Sequence, residues 1–124
     1  MSYVSLLADD KNVIIYRPKM TKITGDVVST ILLMQILYWR GKMEGNFHKP
    51  LSVGDSNTTS FADELGITKK SLTRAAKNLQ TRGLIRFWTQ KLAHKTWWEV
   101  NVEKLDAAMA IAYPPEVPKG NFGK

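Results

Sequence analysis

Apolar residues recur at helical spacing in four segments of this chain. The longest segment, Val27 to Arg40, is apolar around most of its circumference, which is typical of a helix that is central in a core or shared with a partner subunit. Asp26 precedes this helix as its predicted N-cap, and Gly41 and Gly45 are expected to end it. The other three helices are predicted at residues 61–65, 69–82 and 102–112.

The two helices in the middle of the chain are separated by a very short turn. Ser60 stands three residues before Asp63, which is the spacing of a capping box, and Gly66 is suited to end the first of these helices. Thr68 is the predicted N-cap of the second. The second helix has a narrow apolar stripe, which predicts one buried face made of Leu72, Ala75, Ala76 and Leu79.

Strand-forming residues follow these helices. Gly83 closes the helix before them, and Ile85–Thr89 and Thr96–Val100 are rich in β-branched and aromatic residues. The two runs are predicted to pair as a hairpin across a turn at residues 90–95.

The ends of the chain complete the expected organisation. Val13–Tyr16 predicts a short strand or an extended arm, and residues 44–58 predict a loop because they are rich in Gly, Asn, Ser, Asp and Pro. The fold class expected is α+β and mainly helical. One domain is expected over residues 1–112, followed by a disordered, Pro- and Gly-rich tail over residues 113–124.

The charge of the chain is concentrated in one stretch. Of 18 basic residues, eight fall between Gly66 and Trp98 with no acidic residue among them, whereas the rest of the chain holds ten basic and eleven acidic residues. A block without counter-charge favours contact with a polyanion, either nucleic acid or an anionic membrane. No apolar run is long enough to cross a bilayer and no signal peptide is visible, so we expect a cytoplasmic protein with no membrane partner.

Residues that carry catalysis or hold metals are sparse. There is no cysteine, and the two histidines, His48 and His94, lie far apart. Asp63 and Glu64 are interpreted as capping and helix-face residues, because adjacent residues on a helix point in different directions. The sequence has neither a phosphate-binding glycine loop nor a nucleophile motif. We therefore expect a non-enzyme with no catalytic residue, no metal and no cofactor.

Three stretches occur in a specific order. They are Ser60–Thr68, then Leu72–Ala75 with Leu79, and then Arg82–Ile85, which leads into the predicted basic hairpin. This order resembles the winged helix-turn-helix family over about residues 57–101. The resemblance implies a three-helix core with a β-hairpin wing, here followed by an extra C-terminal helix.

An earlier part of the chain has a second resemblance. Ile15–Pro18, Ile23–Gly25 and Leu32–Trp39 look like the N-terminal segment of phage- and plasmid-encoded winged-helix proteins, many of them replication proteins. The chain ends soon after the wing, so a full replication-initiator role is not expected.

The resemblance implies a set of DNA contacts. In helix-turn-helix geometry the helix at residues 69–82 enters the major groove, where Thr73 and Arg74 are placed to read base edges and the lysines meet phosphates. The hairpin would reach the minor groove or the backbone, as a wing does. The predicted DNA-binding residues are Ser60, Thr68, Lys69, Lys70, Ser71, Thr73, Arg74, Lys77, Lys91, His94 and Lys95.

The predicted function is sequence-specific binding of double-stranded DNA by a phage- or plasmid-type regulator of transcription, replication or partition. It would act in the cytoplasm of a bacterial host, at the nucleoid. A homodimer is expected because two copies double the contacts on a palindromic site. The apolar helix would supply the interface through Ile31, Met34, Gln35, Tyr38 and Trp39.

Two alternative functions stay open. The chain could be a protein-interaction adaptor that recruits or blocks a replication factor through its apolar helix or its Pro-rich tail. It could also bind single-stranded nucleic acid through Trp88, Trp97 and Trp98. Neighbours on a strand face opposite sides, so at least one of Trp97 and Trp98 is expected in the core.

Overall fold

The computed structural model describes Ile14 and residues 16–52 and 59–113, which form a mainly helical α+β fold. A 3-10 turn at Pro18–Met20 leads into the first helix. The elements of the described residues are α1 (Thr21–Thr24), α2 (Val27–Met43), β1 (Phe47–His48), α3 (Phe61–Leu65), α4 (Lys69–Thr81), β2 (Ile85–Gln90), β3 (Lys95–Val100) and α5 (Val102–Ala112).

Both ends of the predicted domain fall largely outside the described residues. Ile14 and Tyr16 belong to no strand, and the other two residues of the predicted arm, Val13 and Ile15, lie outside the described part. The predicted tail lies outside it from Pro114 onward.

Helix α2 begins where the sequence predicts and ends later. The Asp26 side chain accepts a hydrogen bond from the Ser29 N–H at 2.8 Å, which confirms the N-cap. The expectation that Gly41 ends the helix is wrong, because α2 continues to Met43 and leaves the helical path at Glu44, which has a φ of 57°. A single glycine inside a helix costs only about 1 kcal/mol, which the long buried face of α2 offsets.

The α3–α4 pair confirms its predicted caps. Ser60 and Asp63 form the reciprocal capping box, and Gly66 ends α3 in a left-handed conformation with a φ of 66°. Thr68 caps α4 by accepting from the Ser71 N–H. Each of the four residues of the predicted apolar stripe of α4 is buried, namely Leu72, Ala75, Ala76 and Leu79.

The described strands form one antiparallel sheet in the order β1-β3-β2. The hairpin of β2 and β3 was expected, but β1 falls within the predicted loop at residues 44–58 and was missed. Two residues are too few to show the alternation that marks a strand. Trp98 faces the core, where it is fully buried between the rings of Phe61 and Phe87, each with its centroid 5.2 Å away.

In the part of the chain that the structure describes, no single helix has the length and apolar character to cross a membrane. Pro18–Thr24 and Val27–Met43 reach that length only together, and they are bent by 99° relative to each other.

Candidate nucleic-acid interface

The exposed side of α4 is cationic. Lys69, Lys70, Arg74 and Lys77 are exposed, and together with the half-buried Thr73 they line one shallow groove along the helix. At 100° per residue, this side lies opposite the buried stripe. The basic residues of α4 therefore share one face and do not surround the helix.

One carboxylate borders this cationic face. Asp26, the N-cap of α2, lines a second groove together with Ser71 and Arg74. Its two oxygens accept from the N–H and the hydroxyl of Ser29, at 2.8 Å and 3.1 Å. This carboxylate is thus engaged in capping α2 where the two helices approach each other.

The N-terminus of α4 holds two further predicted contacts. Thr68 is exposed and Ser71 is half-buried. The Thr68 hydroxyl accepts from the Ser71 N–H at 3.3 Å and donates to the Ser71 hydroxyl at 3.2 Å. Both side chains lie at the edge of the cationic face, with part of their hydrogen-bonding capacity used in the cap.

The expectation that Ser60 contacts DNA is wrong. Ser60 is fully buried, and its hydroxyl both donates to the Asp63 carboxylate at 2.9 Å and accepts from the Asp63 N–H at 3.1 Å. The Ser60 backbone N–H, at 3.2 Å, and the Ser60 hydroxyl both donate to the Asp63 carboxylate, and they lower the pKa of Asp63 below its usual value. A hydroxyl in this position stabilises the start of α3 and cannot reach a phosphate.

The hairpin turn carries the other predicted contacts. Lys91, His94 and Lys95 are exposed, and His94 has a left-handed backbone with a φ of 51°. Leu92 stands beside them almost fully in solvent. The turn therefore projects a second, smaller cationic group beyond the sheet.

Two of the eight cations in the basic stretch have partners within the chain. Arg82 donates to the Asn78 side chain at 3.0 Å and to the Ile23 carbonyl at 3.2 Å, so it ties α4 to α1. Arg86 forms an ion pair with Glu99, with Nε 2.7 Å from the carboxylate oxygen. None of the remaining six is ion-paired with an acidic residue in the described ranges: Lys69, Lys70, Arg74, Lys77, Lys91 and Lys95.

Asn78 fixes the orientation of α4 against the start of α2. Its Nδ2 donates to the Thr24 carbonyl at 2.6 Å and to the Ser29 hydroxyl at 2.9 Å. Ser29 in turn donates to Asp26. The cationic helix is thus held by side-chain hydrogen bonds as well as by its apolar stripe.

A buried ion pair that the sequence did not predict supports α3. Lys49 lies with its Nζ 2.6 Å from Glu64 Oε2, and the same ammonium stands 4.3 Å from the centre of the Trp39 ring. The other Glu64 oxygen accepts from Gln35 and from Trp39, at 2.8 Å and 2.9 Å. Burial raises the pKa of Glu64, but these bonds together with one from Thr59 outweigh burial and leave the pKa lowered.

Two residues of the predicted dimer interface take part in that network. Gln35 is buried and Trp39 half-buried, and each donates to Glu64 within the chain. Ile31 and Met34 are half-buried and Tyr38 is 47% exposed. Val27, which is 51% exposed, lies on the same side of α2 four residues before Ile31.

In residues 16–52 and 59–113, no group of three or more His, Asp or Glu side chains is placed to hold a metal ion. No protein-family model matches the chain, and no curated protein or solved structure compared with it matches either.

Proposed function

We propose that this chain is a winged-helix protein that binds double-stranded DNA at specific sequences and regulates transcription, replication or partition of a phage- or plasmid-type element. The observation that carries the proposal is the single cationic face of α4, where Lys69, Lys70, Arg74 and Lys77 are exposed opposite the buried stripe. A helix with this profile fits the major groove, which admits one α-helix.

The order of elements supports the same proposal. A helix, a short strand, two helices across a tight turn and a hairpin follow one another, and the first strand pairs with the last. This layout is compatible with a winged helix, in which α4 is the recognition helix and the β2–β3 hairpin is the wing. The cations of the hairpin turn then extend the contact from the groove to the neighbouring backbone.

The contacts divide into two kinds. Arg74 and Thr73, in the second turn of α4, are proposed to read base edges, with the Arg74 guanidinium on guanine O6 and N7. Lys70, Lys77 and the wing lysines are proposed to neutralise phosphates, which positions the protein without reading sequence. Affinity should therefore fall steeply with salt.

We propose that the chain forms a homodimer in which the second copy packs against α2. Val27, Ile31, Met34 and Tyr38 are spaced by four, three and four residues, which is the spacing of a coiled-coil seam. No charged residue interrupts this stripe, so the same stripe on another copy is complementary to it. The dimer would present two recognition helices to a palindromic site.

The test is binding of the full chain to duplex DNA, followed by selection of a preferred site from random sequences. We expect the logarithm of affinity to fall linearly with the logarithm of salt concentration, by about 0.9 for each phosphate neutralised. Arg74→Ala should relax sequence preference at one base pair of the selected site, at a cost of about 1–3 kcal/mol. Absence of duplex binding at low salt would overturn the proposal.

A further inference from the structure

The side of the sheet that faces away from the core carries an aromatic row. The strand register places His48 beside Trp97, and Trp97 beside Trp88, so the three rings cross the sheet from β1 to β2. The alternation that directs Trp98 into the core directs these three outward. Arg86 and Glu99 form the next row on the same side, and Gln90 and Lys95 the row nearest the turn.

The aromatic row is accessible. Trp88 is 41% exposed, His48 is exposed and Trp97 is half-buried. The His48 ring meets Trp97 edge to face at 5.0 Å, and the Trp97 Nε1 is held by the Gln90 side chain at 3.3 Å. These contacts fix the Trp97 ring, whereas the core packing of the sheet uses the opposite face.

Cations border the row on both sides. The Arg86 side chain is 70% exposed, and its guanidinium lies 5.3 Å from the centre of the Trp88 ring. Arg86 bonds Glu99 through Nε, so the Nη groups remain for an anion outside the chain. On the other side, Lys95 and Lys91 lead from the row to the turn.

Flat rings flanked by cations are suited to nucleobases joined by phosphates. A base stacks on an indole through its π-face, and arginine or lysine meets the phosphate beside it. In a duplex both faces of each base are covered by neighbouring bases, so only unpaired nucleotides can use such a row. The cations of this face, Arg86 and Lys95, complement the charge of a polyanion.

We propose that the outward face of the sheet binds unpaired nucleotides of single-stranded DNA, with bases stacked on Trp88 and Trp97 and phosphates held by Arg86 and Lys95. This site goes beyond duplex binding by α4, and Lys95 is the one residue that it shares with the proposed duplex contacts. Lys95 joins the two surfaces, because it lies both at the wing tip and on the outward face. A strand that separates from the duplex beside the wing would pass directly onto the aromatic row.

The test uses the full chain and a fluorescent thymidine oligonucleotide at low salt. Trp88→Ala should weaken binding of this single strand about tenfold, and Trp88→Phe, which keeps a stacking ring, should weaken it less. Ile111→Ala removes another exposed apolar side chain, on α5, and should leave affinity unchanged. Circular dichroism and the thermal midpoint of each variant establish that it folds.

The outcomes separate this site from the duplex site. Equal affinity of wild type, Trp88→Ala and Trp97→Ala for the thymidine strand would overturn the proposal, as would unchanged tryptophan fluorescence on saturation. Tighter binding of a uridine strand than of the thymidine strand would overturn the assignment to DNA. Loss of duplex binding in Lys70→Ala/Lys77→Ala, with the Trp88 effect on single strands retained, would support both sites independently.

Discussion

The Lys49 ammonium stands 2.6 Å from a Glu64 oxygen, and their side chains are only 6% and 15% exposed. This pair joins the segment after β1 to α3, 15 residues later in the chain. Lys49 is also held through its backbone, since its carbonyl accepts from the Trp98 Nε1 at 2.9 Å and its N–H donates to the Thr96 carbonyl. The Lys49–Glu64 ion pair, at the edge of the core, therefore helps to position α3 against the sheet.

Removing one partner of this pair should destabilise the protein strongly. Glu64→Ala leaves a buried ammonium without its carboxylate, and we expect a loss of about 3–5 kcal/mol in the free energy of unfolding. Urea unfolding followed by circular dichroism measures it. In Lys49→Met/Glu64→Gln the uncompensated charge is absent, so the double variant should be more stable than Glu64→Ala. A double variant as unstable as the single one would contradict this account of the pair.

Stability should depend on the protonation of Glu64. Its pKa is lowered in the folded protein from an ordinary value of 4.5, so its contribution to stability is fully present above pH 4.5. That contribution is lost as the pH falls through the lower, folded pKa. The urea midpoint of the wild type should therefore drop below pH 4.5 more steeply than that of Glu64→Gln. Parallel curves for the two proteins would show that another carboxylate controls acid unfolding.

The Asn78 side chain should stabilise the fold, although it lies at the edge of the polar face of α4. Asn78→Ala leaves the Thr24 carbonyl and the Ser29 hydroxyl without their donor, and we expect a loss of about 1–3 kcal/mol. Thr81→Ala, at an exposed position of the same helix, should change stability by less than about 0.5 kcal/mol. Equal effects of the two substitutions in urea unfolding would show that the Asn78 hydrogen bonds do not hold α4.

The stripe on α2 should set the oligomeric state. Sedimentation equilibrium of the wild type is expected to give a dimer, and Met34→Glu, which places a carboxylate in the stripe, is expected to give a folded monomer. Met43→Glu is the matched control, because Met43 is exposed on α2 but lies off the stripe. A wild type that sediments as a monomer would contradict the dimer and would leave the stripe to a different protein, as the adaptor hypothesis requires.

The parts of the fold with local signals could be predicted from the sequence. The caps at Asp26, Ser60 and Thr68 depend on residues within one turn, and the stripe of α4 depends on a period of 3.6. The hairpin and α5 have equally local patterns. These elements appear in the structure within a few residues of their predicted bounds.

Two of the features that the sequence did not predict depend on distant partners. Strand β1 forms because it pairs with β3, about 50 residues later in the chain. The local sequence of Phe47–His48 does not by itself predict a strand. The Lys49–Glu64 pair needs the same pairing to bring both groups together. The prediction that Ser60 contacts DNA was wrong for a different reason. A capping hydroxyl and a phosphate-binding hydroxyl have the same sequence signal, and only the burial of Ser60 in the structure distinguishes the two roles.

The measurement that tests the central claim most directly compares duplex affinity for two double variants of equal net charge. Lys70→Ala/Lys77→Ala removes two cations from the face of α4, and Lys22→Ala/Lys104→Ala removes two exposed cations that line a different groove. We predict that the first weakens binding to every duplex and flattens the salt dependence by about two phosphates, while the second changes neither. Equal losses in both variants would show that binding follows the net charge of the chain and would contradict recognition by α4.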